Sequence, residues 1–251
     1  MQKGEAQEGE AQGNSETEAL TPEPGAPFNL VERVIFERRS VRIYQKKQVP
    51  EYLVRRILEA GRFAPSAGNA QPWKFVVIRN QQMLDEMTAD VVKVCQRVQK
   101  FADYTEPGKE RRKWRANAIQ RLLPNMFHPI PFGAMKLMAE GKLGVWHGAP
   151  TVIALLVDVR APGKPLVDAG IAGQNMILSA HSLGLGTCWV SFIVPLANMP
   201  RWRKKLGIRY PYKLVTSIAI GYPRGNPDGA VKRETRAIPW YGEDGSFRVI
   251  Y

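Results

Sequence analysis

The longest uncharged segment of the chain constrains its fold most. Residues 169–200 contain no Asp, Glu, Lys or Arg. A membrane-spanning helix needs about 20 consecutive apolar residues, but Gln174, Asn175, His181 and four glycines interrupt this run. The pattern therefore predicts a helix over about 168–183 that is buried on most sides, then a glycine turn and a buried strand, TCWVSFI, over 187–193.

The remaining apolar patterns alternate between helices and strands. We expect helices over 28–38 and from Pro50 to about Gly61, and strands over 73–78, 151–158 and 214–223. Residues 81–145 are predicted to be helical, with a mobile loop near Pro129 and Pro131. Such alternation is typical of a single compact domain of mixed α and β structure.

Charge is distributed unevenly along the 251 residues. The net charge is +13, whereas residues 1–27 carry six glutamates and one lysine, a net of −5, which leaves +18 for residues 28–251. Residues 1–27 lack aromatic side chains and have few apolar ones, so we predict a disordered acidic tail that precedes one domain over 28–251. This tail does not have the features of a signal peptide, and the expected location is the cytoplasm. The positive field would attract nucleic acid, acidic lipid or phosphate-bearing small molecules, and charge alone does not choose among them.

Cysteine content and motif searches exclude several kinds of site. Cys95 and Cys188 are too few for a cysteine-rich zinc or iron–sulfur site. We expect both thiols to be reduced, and a single disulfide between them is the alternative. The chain has no Walker loop, His-Glu-x-x-His or Gly-x-Ser-x-Gly motif.

Three short clusters carry groups suited to ligand binding. RRSVR at 38–42 brings guanidiniums and a hydroxyl together, as a phosphate site requires. APSAGNAQPW at 64–73 is a loop between two prolines that presents a hydroxyl and two amides, which suit the edge of a heteroaromatic ring. LGLGTCWVS at 183–191 follows a helix and precedes a strand, the reverse of the dinucleotide-binding order. Each cluster also has an ordinary structural explanation as a helix end or a turn.

Together the clusters resemble the FMN-dependent nitroreductase family. The segments that carry the resemblance occur in order along residues 38–223: RRSVR, VP at 49–50, APSAGNAQPWKFVV at 64–77, GAPTVI at 148–153, DAGIAGQNMILSAHSLGLGTCWVS at 168–191, and IGYP at 220–223. The resemblance implies an α+β fold with a central, mostly antiparallel sheet flanked by helices, and a homodimer with FMN at its interface.

The resemblance also implies which residues bind the cofactor. Arg38, Arg39, Ser40 and Arg42 would contact the phosphate and ribityl chain of FMN. Ser66 and Asn69, and less surely Pro65 and Gln71, would lie against the isoalloxazine ring. Trp189, Val190 and Ser191 would pass over the ring, with a backbone N–H, that of Ser191, at the reactive nitrogen. A cation near the C-terminus would reach the phosphate; Arg236 fits best and Arg233 is second.

The implied activity is transfer of hydride from NADH or NADPH through FMN to an electron-poor small-molecule acceptor such as a nitroaromatic or quinone. No side chain is nominated as catalytic, since the cofactor carries the chemistry and solvent can supply protons. Alternatives are a dehalogenase or enone reductase of the same fold, and a non-catalytic flavin-binding protein. No nucleic-acid recognition motif is present, so a nucleic-acid partner is not expected; nor is a membrane or a metal site.

Residues 93–145 match no pattern of the family. In such proteins this region shapes the acceptor pocket, so we expect a variable helical or lid region here. Two roles are compatible with five side chains, packing in the core or contact with the acceptor pocket: His128, His147, Trp114, Phe127 and Phe132. His181 is expected to be a hydrogen-bonded core residue.

Overall fold

The computed structural model describes residues 25–102, 129–225 and 233–250, together with positions 114, 116–118 and 121. Two compact units are distinguished, Met1–Phe36 and Glu37–Tyr251. Residues 1–24, most of the predicted acidic tail, lie outside the described residues, as do His128 and Phe127.

The first helix, α1 (Leu30–Glu37), begins at a capping box. The Asn29 side-chain oxygen accepts the N–H groups of Val31 and Glu32 at 2.9 and 3.0 Å, and the Glu32 carboxylate accepts the Asn29 N–H at 2.7 Å. This reciprocal arrangement satisfies donors that a helix start leaves unpaired. The apolar residues Leu30 and Val31 remain exposed.

The larger unit contains the remaining helices and strands. In chain order they are α2 (Glu51–Arg62), a 3₁₀ turn (Ala67–Asn69), β1 (Trp73–Ile78), α3 (Gln81–Ala102), α4 (Pro129–Ala139), β2 (Thr151–Asp158), α5 (Pro165–Ser182), β3 (Gly186–Trp189), a 3₁₀ segment (Ser191–Asn198), α6 (Pro200–Lys205), β4 (Tyr212–Gly221), β5 (Ile238–Tyr241) and β6 (Phe247–Ile250).

Strands β1 to β4 form one sheet in the order β1-β2-β4-β3, and every neighbouring pair is antiparallel. The predicted α+β class and antiparallel sheet are therefore confirmed. Residues 151–157 of β2 are all buried, as expected for a central strand that is covered on both faces. The strand order places β1 at one edge and β3 at the other.

Helix α5 covers one face of the sheet. Met176, Ile177 and Ala180 are buried there against Ile153 and Leu155 of β2. The opposite face carries a second core cluster that includes Trp202 of α6 and residues of α3. The prediction that this helix is buried on most sides is confirmed only in part: seven of its 18 residues are buried, Asp168 among them, while Leu166, Val167 and Gly170 are exposed. Among the described residues, no helix is long and apolar enough to cross a membrane.

Two sequence predictions about local structure are wrong. The predicted loop near Pro129 and Pro131 is the start of helix α4. The N–H groups of the first helical turn make no bond within the helix, so proline, which has no N–H, is compatible with a helix start. Phe132 is 1% exposed and packs against Ala116 and Val98. Burial of this ring stabilises a helix where local signals favoured a loop.

The strand predicted over 187–193 is also too long. Strand β3 ends at Trp189. The Val190 N–H still donates to the Ser217 carbonyl at 2.8 Å, but the chain then turns into a 3₁₀ segment that contains Pro195. Proline cannot donate to a sheet ladder, so the strand cannot continue through this segment.

Strands β5 and β6 pair as a two-stranded antiparallel sheet that the sequence patterns did not predict. Its apolar side chains Trp240, Tyr241, Phe247 and Val249 are all exposed.

Candidate functional site

The Arg38–Arg42 segment is fixed to the edge strand β3. Ser40 forms a parallel bridge with Thr187, and the Val41 N–H donates to the Thr187 carbonyl at 2.9 Å. This close approach requires glycine at 186, because a Cβ there would lie 2.6 Å from the Val41 side chain. The second glycine of the LGLG motif therefore admits the arginine-bearing segment.

The charges of the Arg38–Arg42 segment lie near two further basic side chains, Arg233 and His181. Burial lowers the pKa of Arg38, and the positive charges of Arg233 and then Arg39 lower it further. Burial also lowers the pKa of His181, with Glu37 opposing this effect and Arg38 and Arg39 adding to it. Repulsion among these cations would be relieved by a bound anion, which makes the cluster a candidate phosphate site.

The two C-terminal arginines differ in their surroundings. Arg233 lies near enough to Arg38 for its charge to affect the Arg38 pKa. Arg236 instead lies 3.4 Å from the Glu234 carboxylate, and both side chains are exposed. Of the two, Arg233 is the one whose charge affects Arg38.

Arg42 points toward a second group of ionisable residues. Burial raises the pKa of Cys188, and the charge and hydrogen bond of Arg42 oppose that rise. Burial and then Arg42 lower the pKa of His147. Burial thus favours the neutral thiol and the neutral imidazole, whereas Arg42 favours the neutral imidazole and opposes the neutral thiol. Cys95 and Cys188 are buried free thiols, so the alternative of a disulfide is excluded.

The loop that precedes β1 is held by its own polar side chains. The Ser66 hydroxyl accepts the Gln71 N–H at 2.9 Å, and the Gln71 amide donates to the Asn69 side-chain oxygen at 3.1 Å. Asn69 and Gln71 both have left-handed backbone conformations, with φ of 52° and 46°. Such conformations cost free energy in residues other than glycine and are concentrated at binding sites. The loop thus presents exposed amides in a constrained geometry, next to Pro65.

The segment after β3 is fixed from the neighbouring strand. The Ser217 hydroxyl donates to the Val190 carbonyl at 2.7 Å, and the Ser191 hydroxyl lies 3.1 Å from that of Thr216. The ring of Trp189 lies over α5 at Gly173, where a Cβ would be 2.1 Å from the ring.

The chain does not bring all predicted site residues together. Arg38–Arg42 and Trp189–Ser191 share the β3 edge, whereas Ser66–Gln71 precedes the opposite edge strand. Two strands lie between these edges, a separation of about 14 Å at the usual spacing. Helix α5 also stands between them, with Ala172 packed beside Ala64 and Trp73 on one flank and Gly173 beneath Trp189 on another. One chain therefore presents the predicted site residues as two separate groups.

Sequence reasoning missed the place of His181 beside the arginines and the role of Thr216 under Ser191. His181 was assigned to the core because it belongs to the uncharged helix. Of the pocket candidates, Phe132 is a core residue and Trp114 is 72% exposed.

Comparison with known proteins identifies relatives across most of the chain. Residues 35–222 match the model of the Nitroreductase family. The chain is similar to the NADH dehydrogenase of Thermus thermophilus, with 59% identity over 226 residues, which is 81% of this chain and 92% of the relative. It is 30% identical over 207 residues to the 4-nitrobenzoate reductase of a Nocardioides species, covering 75% of this chain and 78% of that protein. Its fold resembles that of a nitroreductase with bound FMN from Desulfitobacterium hafniense, with a TM-score of 0.61, 25% identity, and coverage of 82% of this chain and 96% of that one.

Proposed function

Because the chain belongs to the nitroreductase family, we propose that it is an FMN-dependent oxidoreductase that passes hydride from NADH or NADPH to an electron-poor small molecule such as a nitroaromatic or a quinone. The convergence of Arg38, Arg39 and Arg233 beside strand β3 is the observation that carries this proposal. A relative that reduces 4-nitrobenzoate supports the class of acceptor, and an NADH dehydrogenase supports the donor.

The cation cluster would hold the FMN phosphate. Arg38, Arg39 and Arg233, with Arg236 as the less favoured candidate, offer forked donors to phosphate oxygens, and Ser40 adds a hydroxyl. Burial is the main cause of the lowered pKa of Arg38, and repulsion from Arg233 and Arg39 adds to it. A dianionic phosphate would convert this repulsion into attraction, so the residues fit the group.

The segment after β3 would orient the flavin ring. The Val190 N–H is already bonded to the Ser217 carbonyl, so we assign the next N–H, that of Ser191, to the reactive ring nitrogen. Trp189 would exclude water from this side, and Arg42 would lie at the ring edge.

A second copy of the chain would complete the site. Pro65, Ser66, Asn69 and Gln71 form the other half-site, and α5 separates them from Trp189–Ser191 of the same chain. We therefore propose a homodimer in which each FMN lies between the β3 edge of one protomer and the Ser66–Gln71 loop of its partner. The exposed apolar side chains of β5 and β6 are consistent with burial against another chain.

Bound FMN would supply the redox chemistry, which is hydride transfer between the donor and the acceptor. The protein would bind, orient and shield, and the expected location is the cytoplasm. Hydride transfer needs no side-chain acid, because solvent can supply the proton that the reduced acceptor takes up.

An absorbance spectrum of the purified protein tests the proposal directly. We expect oxidised flavin bands that bleach when NADH or NADPH is added anaerobically and recover when a nitroaromatic or quinone follows. Bands that persist with both donors would indicate a flavin-binding protein without this activity. A colourless protein that FMN does not reconstitute would refute the proposal.

The assignment of Arg38 and Arg42 to FMN binding has its own test with a matched control. Arg38→Ala combined with Arg42→Ala should lower the ratio of bound FMN to protein, whereas Lys46→Ala with Arg56→Ala removes the same charge from exposed positions and should not. A fully yellow Arg38→Ala/Arg42→Ala protein would contradict the assignment.

Hybrid dimers test whether each site is shared. Protomers with Arg38→Ala/Arg42→Ala are mixed under exchange conditions with protomers carrying Asn69→Ala/Gln71→Ala. If each site uses both chains, a hybrid has one intact site and one doubly altered site, so the mixture should recover FMN binding that neither parent shows. A mixture no better than its parents, despite demonstrated exchange, would place each site within a single chain.

A further inference from the structure

The short helix α6, of sequence PRWRKK, carries four basic residues whose surroundings differ. Arg201 pairs with Asp90, and Lys205 lies 3.3 Å from Glu86. Both partners belong to α3. Arg203 and Lys204 are exposed and make no ion pair with any described residue. The paired cations attach α6 to α3, and the other two need a different explanation.

Arg203 and Lys204 line a surface cavity of about 580 Å³ with two more cations, Lys74 and Arg209. Its other lining residues are Pro200, Gly207 and Ile208, so the described wall contains no carboxylate. Backbone carbonyls orient two of the cations: the Lys74 ammonium donates to the Gly207 carbonyl at 3.3 Å, and the Arg203 Nε donates to that of Ile208 at 3.5 Å. Four cations held around one concavity, without a counter-charge in its wall, favour a multivalent anion.

This cavity lies close to the loop that we assign to the flavin ring. Lys74 follows Gln71 by three residues, so their Cα atoms are at most about 10 Å apart. A smaller cavity of about 390 Å³ is lined by Gln71, Arg160 and Tyr212 among others. The centre of the Tyr212 ring lies 5.1 Å from the ammonium of Lys74, which is in the wall of the basic cavity. Phosphate groups in the basic cavity would thus lie near the flavin half-site.

We propose that Lys74, Arg203, Lys204 and Arg209 form a phosphate-binding site that receives the diphosphate of the nicotinamide donor while its ring reaches the flavin. This inference rests on the proposed function for the identity of the ligand, but the phosphate site itself does not. A cavity of this volume matches a small-molecule moiety. The cations surround a single concavity rather than extending along a face, which favours a nucleotide over a duplex nucleic acid.

The test compares holoenzyme variants of equal charge. Arg203→Gln/Lys204→Gln removes two cations from the cavity, and Lys46→Gln/Arg56→Gln removes two exposed cations elsewhere. Titration calorimetry measures the binding of inorganic pyrophosphate. Anaerobic stopped-flow measures the apparent Kd for flavin reduction by NADH, NADPH and dihydronicotinamide riboside, a donor that has no phosphate.

We expect Arg203→Gln/Lys204→Gln to weaken pyrophosphate binding, and to raise the apparent Kd of NADH relative to that of the riboside, each on the order of tenfold. The control variant should change neither quantity. Equal changes in the two variants would overturn the proposed site, because they would show that binding depends on the overall positive charge of the protein rather than on this cavity. Weakened pyrophosphate binding with an unchanged NADH-to-riboside ratio would overturn the donor assignment and indicate a phosphorylated acceptor instead.

Failure of the proposed function is distinguishable from failure of the site. If no donor reduces the wild-type flavin, the oxidoreductase proposal fails, while the pyrophosphate comparison still decides whether the cavity binds phosphate. A short DNA duplex that displaces pyrophosphate at physiological ionic strength, with the steep salt dependence of polyanion binding, would overturn the small-molecule assignment.

Discussion

Replacement of Gly173 by alanine isolates the packing of Trp189 on helix α5. A Cβ at this position would lie 2.1 and 2.7 Å from two atoms of the Trp189 ring and 3.2 Å from Leu155. An aromatic ring cannot yield as the end of a flexible chain does, so Trp189 must leave its position. Gly170, on the same helix, is exposed and has no atom within 4 Å of an added Cβ. Gly170→Ala is therefore the matched control.

The expected magnitudes follow from two opposing effects. Alanine is favoured over glycine in a helix interior by about 1 kcal/mol, and Gly170→Ala should gain most of this. Gly173→Ala gains the same amount but incurs an overpacking cost of about 1–3 kcal/mol. The two variants should thus differ by about 1–3 kcal/mol, which corresponds to roughly 2–12 °C in Tm for a domain of this size. Displacement of Trp189 should also weaken FMN binding.

Thermal unfolding of both variants, with and without excess FMN, measures these effects. The Trp189→Leu background supplies a double-mutant cycle: with the ring removed, Gly173→Ala should become nearly as favourable as Gly170→Ala. Equal Tm shifts for the two alanine variants in the wild-type background would refute the reasoning, since they would show that the ring moves at no cost.

Three further predictions concern buried polar groups. Asp90→Ala should lower the free energy of unfolding in urea by about 1–3 kcal/mol, because the buried Trp202 indole loses its acceptor at 2.8 Å. Burial raises the pKa of Asp90, but hydrogen bonds and nearby cations outweigh this effect and lower it. The stabilisation by Asp90 should therefore be present above about pH 3.9 and be lost below it. Burial lowers the pKa of His147, so the unfolded chain takes up a proton more readily and stability should fall as pH drops below about 6.5. His147→Asn, which tolerates the observed φ of 56°, should reduce that loss between pH 7.5 and 5.5, and an unchanged slope would contradict this. Burial raises the pKa of both Cys95 and Cys188, so mass spectrometry after iodoacetamide treatment at pH 8 should find neither thiol labelled until the protein unfolds.

Local patterns predicted the elements whose burial follows a regular pattern along the sequence. Residues 151–157 of strand β2 are all buried, and their continuous apolar sequence indicates this directly. Helix α5 buries seven of its 18 residues, on the side that covers the sheet. Helix α4 was missed because Pro129 is compatible with both a loop and a first helical turn. Only burial of Phe132, a tertiary contact, decides between them. Likewise, the Val190 N–H donates to the Ser217 carbonyl, yet strand β3 ends at Trp189 and a 3₁₀ segment begins at Ser191.

The binding clusters could be predicted from sequence, but not their arrangement in space. Each cluster is a contiguous motif, whereas strand order is non-local, and the sequence alone does not indicate that β1 and β3 are opposite edges. His181 is separated from Arg38 by about 140 positions, so no local signal connects them. The effect of the Arg233 charge on Arg38 likewise joins residues about 195 positions apart.

Residues 169–182 of α5, which follow the buried Asp168, contain no Asp, Glu, Lys or Arg, and this has a physical reason in the arrangement. Its successive residues face different neighbours at close range: Ala172 packs against the loop before β1, Gly173 lies beneath Trp189, and Met176 contacts α2 so closely that a Cβ at Gly61 would be 2.7 Å from it. A charged side chain on any of these flanks would be buried without a partner, which costs several kcal/mol. Because the two half-sites contact the same rigid helix, their spacing is set by the size of its side chains. Small residues along α5 are therefore required by the geometry of the site as well as by the core.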